Sequence, residues 1–188
     1  MASDRRREGK EDRCLLVAGG GIVLLILLAL VMAPGCTTVP GDGTDDSWRT
    51  TELTDVRTGE VFSVSRFADR PVLIQTFTIT CPVCMQQQEE ITRLEQEGSI
   101  PFIMIGLDID PNGDAASLLR YAEQKGYAGR YARSPPDMTR SLVDRFGMGV
   151  LSPARAPLIL VCPDGTAGLL APGVKSAGDL SRVLSGCP

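Results

Sequence analysis

Two apolar runs constrain the fold of this chain more than any other feature. They cover residues 72–79 and 100–107, and both are rich in Ile, Leu, Phe and other apolar residues. Strands covered on both faces have this nearly continuous pattern, whereas a strand with one wet face alternates apolar and polar residues. The segment between the runs is helical in composition and opens with Pro82, which suits the first turn of a helix. The sequence therefore predicts a parallel βαβ unit.

The remainder of the body predicts a single α/β domain. Residues 53–56 and 61–64 flank a short turn with Gly59, which favours an N-terminal β-hairpin. Capping residues, glycines and apolar periodicity predict the later elements. These are a helix opening at Asp114, a helix opening within 134–137, a strand at 157–162 with a hairpin partner at 167–171, and a last helix behind the capping box of Ser176 and Asp179. This order predicts a central mixed β-sheet with helices on both faces and an N-terminal hairpin extension.

Two cysteines, Cys81 and Cys84, lie where the 72–79 strand gives way to its helix. Unpaired N–H groups and the dipole at a helix N-terminus stabilise a thiolate and lower a thiol pKa from ~8.5 to roughly 3.5–7.5. The spacing predicts that Cys81 is the nucleophile and that Cys84, one turn deeper, resolves the mixed disulfide. The chain has no histidine and no second CxxC motif, so a structural zinc site lacks its ligands. Disulfide exchange needs no dissociable cofactor and no metal.

Four segments follow one another in the order seen in one branch of the thioredoxin superfamily: ELTDVRTGEVFSVSRFADRPVLIQTFTITCPVC, PFIMIGLDID, DRFGMGV, and APLILVCPDG followed by PGVKS. On these motifs the chain resembles the TlpA-like and ResA-like thiol-disulfide oxidoreductases from about Leu53 to Leu184. The resemblance implies a thioredoxin-like fold. It also implies a substrate groove beside the cysteines, in which Pro157 is a cis-proline, Ala156 offers backbone groups to an extended substrate, and Pro82 and Val83 complete the surface. Pro153 is the alternative cis-proline, but only Pro157 opens the strand directly.

The chain departs from that family pattern at three places. Thr80 stands where a tryptophan is usual, Gln75 occupies a strand position that is often acidic, and Pro82 with Val83 fills the motif. An amide cannot serve as a buried proton acceptor. The reduction potential and the proton path are therefore open, and with them the direction of the reaction.

Three other interpretations have partial support. Residues 106–126 also resemble Sco-like copper chaperones, and two thiolates suit Cu(I), but that family spaces its cysteines one residue further apart and adds a histidine. Thr78, three residues before the first cysteine, is a feature of thiol peroxidases, but Ile74 stands where their proline is expected. Residues 108–114 open like a calcium-binding EF-hand loop, yet Leu119 occupies the position of the bidentate glutamate.

The N-terminal tail predicts a membrane tether. Residues 15–33 contain no charged side chain, and about 20 apolar residues span a bilayer as a helix. Basic residues precede them and should stay in the cytoplasm. Small residues before Cys36 resemble a lipoprotein processing site, so lipidation of Cys36 and an uncleaved anchor are both open. The predicted organisation is a cytoplasmic segment at 1–14, a transmembrane signal anchor or lipoprotein signal peptide at 15–35, a flexible linker at 36–47, and the thioredoxin-like domain at 48–188.

This organisation predicts a catalytic domain anchored to the cell membrane on its extracytoplasmic side. The expected partners are exported cysteine-containing proteins, such as apocytochromes, and a membrane or soluble redox partner. Nucleic acid is excluded as a partner because the chain has 23 acidic against 19 basic residues. Cys162 and Cys187 can pair in an oxidising compartment, although spacing alone does not decide this.

Overall fold

The structure is a computed structural model and describes residues 45–188. The predicted cytoplasmic segment, the membrane anchor, Cys36 and nearly all of the linker lie outside the described residues. Within residues 45–188, no helix combines the length and the apolar character needed to cross a bilayer.

The described residues form seven strands and four α-helices. Their bounds are β1 Leu53–Thr54, β2 Val61–Phe62, β3 Val72–Phe77, α1 Pro82–Glu97, β4 Ile103–Asp108, α2 Ala115–Lys125, β5 Arg130–Arg133, α3 Pro136–Phe146, β6 Leu158–Val161, β7 Ala167–Leu169 and α4 Ala177–Ser185. Helix α1 begins at Pro82, as predicted. The caps at Asp114 and Ser176 also form, because each side chain accepts an N–H from the first turn of its helix.

Five strands form one mixed sheet in the order β5-β4-β3-β6-β7. Strands β3, β4 and β5 are parallel, whereas β6 and β7 run antiparallel to their neighbours. The predicted βαβ unit is confirmed, since Val72 of β3 is in register with Ile103 of β4. All six residues of β3 are buried, as expected for the central strand of a sheet covered on both faces. Strands β1 and β2 form the separate N-terminal hairpin.

Alternate residues of β3 build two different cores. Ile74 packs in one cluster with Leu142 of α3 and with residues of the hairpin. Leu73, its neighbour, packs on the opposite face with Ile91 of α1 and Leu184 of α4. A third cluster, on the same face as α1, joins the end of β3 to α2 and to the two cysteines. Helices on both faces of the central sheet are therefore confirmed.

The single tryptophan of the chain closes the α3 side of the domain. Trp48 lies in a short 3-10 turn and is fully buried. Its N–H donates to Ser141 Oγ at 3.2 Å, and its ring meets Phe146 edge-on at 5.4 Å between centroids. Trp48, close to the start of the described residues, thus belongs to the core of the domain.

Strand β5 was not predicted from the sequence. Its four residues, Arg130–Arg133, read RYAR and contain no apolar run. Tyr131 and Ala132 are nevertheless buried, because β5 pairs with β4 along its whole length. Pairing with a neighbouring strand decided this element, not local hydrophobicity.

A disulfide joins Cys162, directly after β6, to Cys187 near the end of the chain, with 5.3 Å between their Cα atoms. The bond fastens the segment that follows α4 to the central sheet. The sequence left open whether Cys162 and Cys187 pair, and the structure shows that they do.

Candidate active site

The CxxC motif lies at the carboxyl end of β3, at the first turn of α1. The chain turns between them, and the Cys81 N–H donates to the Thr78 carbonyl at 3.0 Å. Cys81 is the N-cap residue of α1 and keeps an extended backbone, while Pro82 starts the helix with its fixed φ. Cys81 and Cys84 are joined as a disulfide, with 5.3 Å between their Cα atoms.

The two cysteine sulfurs have opposite electrostatic surroundings, and those of Cys81 favour a negative charge. Its Sγ accepts the backbone N–H of Cys84 at 3.2 Å, as an N-cap side chain does. The sulfur thus occupies the positive end of a 16-residue helix. Cys81 also retains 8% of its surface, whereas Cys84 has none. Once the disulfide is reduced, this environment stabilises a thiolate at a sulfur that keeps some accessible surface.

The sulfur of Cys84 faces a carbonyl oxygen instead. The Pro153 oxygen lies 3.2 Å from Cys84 Sγ. In the reduced protein this oxygen can accept a hydrogen bond from the thiol, but it repels a thiolate because both atoms are negative. The geometry therefore favours a charged sulfur at Cys81 and a protonated sulfur at Cys84.

Gln75 lies under the first turn of α1 and has no surface exposure. Its Nε2 donates to the Cys84 carbonyl at 3.2 Å, which ties the motif to β3. Its Oε1 has no hydrogen-bond partner among the described residues. The departure from the family pattern seen in the sequence thus falls on the residue that directly supports Cys84.

An aromatic cluster packs in the same core cluster as the two cysteines. Phe77 contacts Tyr121 and Tyr131, with ring centroids 5.6 and 5.9 Å apart. The Tyr121 hydroxyl donates to Gln88 Oε1 at 2.6 Å, and burial raises the Tyr121 pKa far above its ordinary value. These phenols therefore stay neutral. Periodicity identified Tyr121 as inward-facing, but it gave no sign that Tyr131 joins the same cluster.

The predicted cis-proline at Pro157 is wrong, because no peptide bond among residues 45–188 is cis. The chain is redirected into β6 by Ala156, which adopts the left-handed conformation with φ 47° and ψ 57°. Its N–H closes a 3-10 turn on the Pro153 carbonyl at 2.8 Å. The loop consequently presents Pro153, the alternative position considered from the sequence, to Cys84.

The four residues predicted to line a substrate groove have different exposures. Ala156 and Pro157 are buried, Val83 is half-buried, and Pro82 is exposed. Pro82 and Val83 lie between the two cysteines, whereas Ala156 and Pro157 follow Pro153, the residue that contacts Cys84, along the chain. Their role in substrate binding stays a prediction.

A second loop is fastened to α1 by Gln87, one turn beyond Cys84. The Gln87 side chain accepts the Lys175 N–H at 2.7 Å and donates to the Lys175 carbonyl at 3.1 Å. The Lys175 ammonium donates to the carbonyls of Ala171 and Gly173 within the same loop. Partial burial lowers the Lys175 pKa. The sequence indicated only that Gln87 faces inward, because its partner lies far away along the chain.

The described residues have a thioredoxin-like fold that carries a cysteine pair at the start of its first helix. Among solved structures, a thiol:disulfide interchange protein of the thioredoxin family from Chlorobium tepidum TLS is 16% identical with a TM-score of 0.62, over 73% of this chain and 92% of that one. A secreted Mycobacterium tuberculosis disulfide oxidoreductase homologous to E. coli DsbE is 15% identical with a TM-score of 0.57, over 74% and 98% of the two chains.

The Sco protein BsSco, from a family of cytochrome c oxidase assembly proteins, is 16% identical with a TM-score of 0.57, over 73% of this chain and 90% of that one. No model of a protein family matches the sequence, and no curated protein matches it. These similarities establish the fold alone.

Proposed function

We propose that this protein is a membrane-tethered, extracytoplasmic thiol-disulfide oxidoreductase of the TlpA-like and ResA-like type. The observation that carries the proposal is the contrast between the two sulfurs. Cys81 Sγ receives an N–H from the helix, while Cys84 Sγ faces the Pro153 carbonyl oxygen. A dithiol with one stabilised thiolate and one protected thiol is what stepwise disulfide exchange requires.

In the reductive direction, the Cys81 thiolate attacks one sulfur of a substrate disulfide. The substrate S–S bond breaks, a Cys81–substrate disulfide forms, and the released substrate thiolate takes up a proton. Cys84 then loses its proton and attacks Cys81 Sγ, which frees the second substrate thiolate and leaves the Cys81–Cys84 disulfide. Two electrons pass from the protein to the substrate. The oxidative direction is the reverse of these steps.

Three features support a location outside the cytoplasm. The chain begins with a basic segment followed by the uncharged block at 15–33. The acidic, glycine-containing stretch that follows has the composition of a spacer. A second disulfide, Cys162–Cys187, is the kind of bond that persists in oxidising compartments. The substrates on this proposal are exported proteins with cysteines, and a membrane or soluble redox partner regenerates the active dithiol or disulfide.

The direction follows from the reduction potential. Thioredoxin-like reductants and oxidants differ by about 150 mV. Equilibrating the purified chain with glutathione buffers and measuring the oxidised fraction of the Cys81–Cys84 pair gives that potential. A value of about −270 mV assigns a reductant, and one of about −120 mV assigns an oxidant.

A trapping experiment tests the proposal itself. The Cys84→Ser variant should accumulate mixed disulfides with exported proteins, because the sulfur that resolves them is gone. The matched Cys81→Ser variant should accumulate none, since it lacks the attacking thiolate. Equal trapping by both variants, or by neither, would contradict the assigned roles.

The Sco-like copper chaperone is the second candidate, and the fold shared with BsSco is the observation in its favour. Two thiolates can hold Cu(I). Residues 45–188, however, bring together no group of three or more Cys, Asp or Glu side chains suited to a metal, and the chain has no histidine. Titrating the reduced protein with Cu(I) against a competing chelator decides between the two. Tight Cu(I) binding, together with a Cys84→Ser variant that accumulates no mixed disulfides, would assign the copper function.

A further inference from the structure

A small pocket opens next to the loop that faces Cys84. Its volume is about 40 Å³, which holds about three water-sized groups or the branched tip of an aliphatic side chain. It is lined by Gly149, Arg155, Pro157, Leu169, Leu170 and Pro172. The walls are apolar except for one arginine, so the pocket suits an apolar side chain more than a polar one.

The pocket is close enough to the disulfide to contact a bound substrate. The Pro153 carbonyl lies 3.2 Å from Cys84 Sγ, and Arg155 follows two residues later. Two residues span at most about 7 Å, so the Arg155 backbone lies within about 10 Å of that sulfur. Three to four residues of an extended peptide cover this distance at about 3.3 Å each. A side chain three or four positions from a reacting cysteine can therefore enter the pocket.

Two exposed apolar side chains border the pocket. Met148 is 66% exposed and precedes Gly149 in the lining, while Val174 is 41% exposed. The Gly173 N–H donates to the Arg155 carbonyl at 2.8 Å, which holds the Val174 loop against the pocket wall. These two side chains extend the apolar surface of the pocket, which suits contact with a polypeptide.

The rim of the pocket is positively charged. Arg155 is exposed and forms no ion pair with any residue from 45 onward, and the Lys175 ammonium lies in the adjoining loop. The two loops, residues 147–157 and 167–175, contain no carboxylate, although Asp179 of α4 lies near enough to interact with Lys175. The same domain has 18 Asp and Glu against 14 Lys and Arg from residue 45 onward, so this rim stands out from an acidic background. A partner with a carboxylate complements it.

We infer that this pocket selects the substrate: an extended segment of a cysteine-containing protein, with an aliphatic side chain three or four residues from the cysteine and a carboxylate beside it. The inference rests on the proposed function and adds a substrate class to it. A second copy of this chain fits the surface less well, because a two-fold contact would bring the same positive rims together.

Matched peptides test this selectivity on the full-length reduced protein. Each peptide carries a cysteine in mixed disulfide with thionitrobenzoate, whose release is followed by absorbance. The three peptides differ only at the third and fourth positions from the cysteine. These positions hold Leu and Glu in the first peptide, Leu and Lys in the second, and Ala and Glu in the third. Each rate constant is divided by the rate constant of the same protein with the symmetrical disulfide of thionitrobenzoate, which carries no peptide. The ratio therefore reports the effect of the peptide alone. We expect the Leu-Glu peptide to react about tenfold faster than Ala-Glu and up to about fivefold faster than Leu-Lys.

Charge reversal supplies the control. Arg155→Glu should reverse the preference between Glu and Lys peptides, whereas Arg140→Glu should leave it unchanged. The second variant changes net charge equally, but its side chain is 69% exposed on α3, across the sheet from α1. Leu170→Ala should reduce the preference for Leu over Ala.

The outcomes separate the two proposals. Equal normalised rates for all three peptides overturn the selectivity and leave the oxidoreductase intact, whereas no exchange with any disulfide removes the proposed function as well. Sedimentation measurements test whether a second copy of this chain occupies the surface instead. A wild-type dimer that Val174→Glu dissociates assigns the patch to self-association and overturns the inference.

Discussion

Removing the Cys162–Cys187 disulfide should destabilise the domain by about 3.5 kcal/mol. The bond joins residues 25 apart in sequence, and closing a loop of that length in the unfolded chain costs about 12 cal/mol/K in the chain-entropy model. The double variant Cys162→Ala with Cys187→Ala therefore loses stability mainly through a less restricted unfolded state. For a domain of this size the midpoint of thermal unfolding should fall by about 10 °C.

Urea unfolding followed by tryptophan fluorescence measures this loss. Trp48 is the single tryptophan of the chain and is fully buried, so its emission reports the described domain whatever the tail does. The wild type treated with a reductant strong enough to open both disulfides is the companion sample. A double variant within about 1 kcal/mol of the oxidised wild type would refute the reasoning, since the unfolded-state restriction would then contribute almost nothing.

Three further predictions concern the site and its scaffold. In the reduced protein at pH 7, iodoacetamide should modify Cys81 well before Cys84, because only Cys81 keeps some accessible surface and is supported as a thiolate. Peptide mapping checks the order, and equal labelling would contradict it. Gly106→Ala should destabilise the fold by about 1–3 kcal/mol in urea unfolding, because a Cβ at this position would lie 2.6 Å from a tyrosine ring atom. Gly168→Ala is the matched control and should change the unfolding free energy little, since no atom lies within 4 Å of a Cβ there. Hydrogen bonds from a serine side chain and a serine N–H lower the pKa of Asp114 below 3.8, so the stability that Asp114 contributes is present above that pH and is lost as the pH falls through the folded-state pKa. Asp114→Asn should therefore flatten this part of the curve of unfolding free energy against pH. An unchanged curve would show that the pKa of Asp114 does not differ between the folded and unfolded states.

Local patterns in the sequence predicted most of the secondary structure. The apolar runs indicated β3 and β4, and the caps at Asp114 and Ser176 marked two helix starts that the structure has. These signals succeed because hydrophobic periodicity and capping act over a few residues. Strand β5 escaped because its burial comes from a neighbour in the sheet, and sequence periodicity does not record which strand lies alongside.

The loop before β6 marks the limit of reasoning by resemblance. The expected cis bond at Pro157 is absent, and the left-handed backbone of Ala156 redirects the chain instead. A non-glycine residue in that region has no strong sequence signature. The contact between the Pro153 carbonyl and Cys84 follows from this loop geometry and could not be read from residue types.

The sequence by itself determined that two cysteines stand at the beginning of a helix, because the strand before them, the proline between them and their spacing are all local properties. Only the tertiary structure decided how the two sulfurs differ, since the Pro153 oxygen arrives from 69 residues away. The same holds for the clamp between Gln87 and Lys175, 88 residues apart, and for the pocket between two loops. Contacts at such separations depend on how the whole chain packs, and packing is a property of the folded domain rather than of any segment.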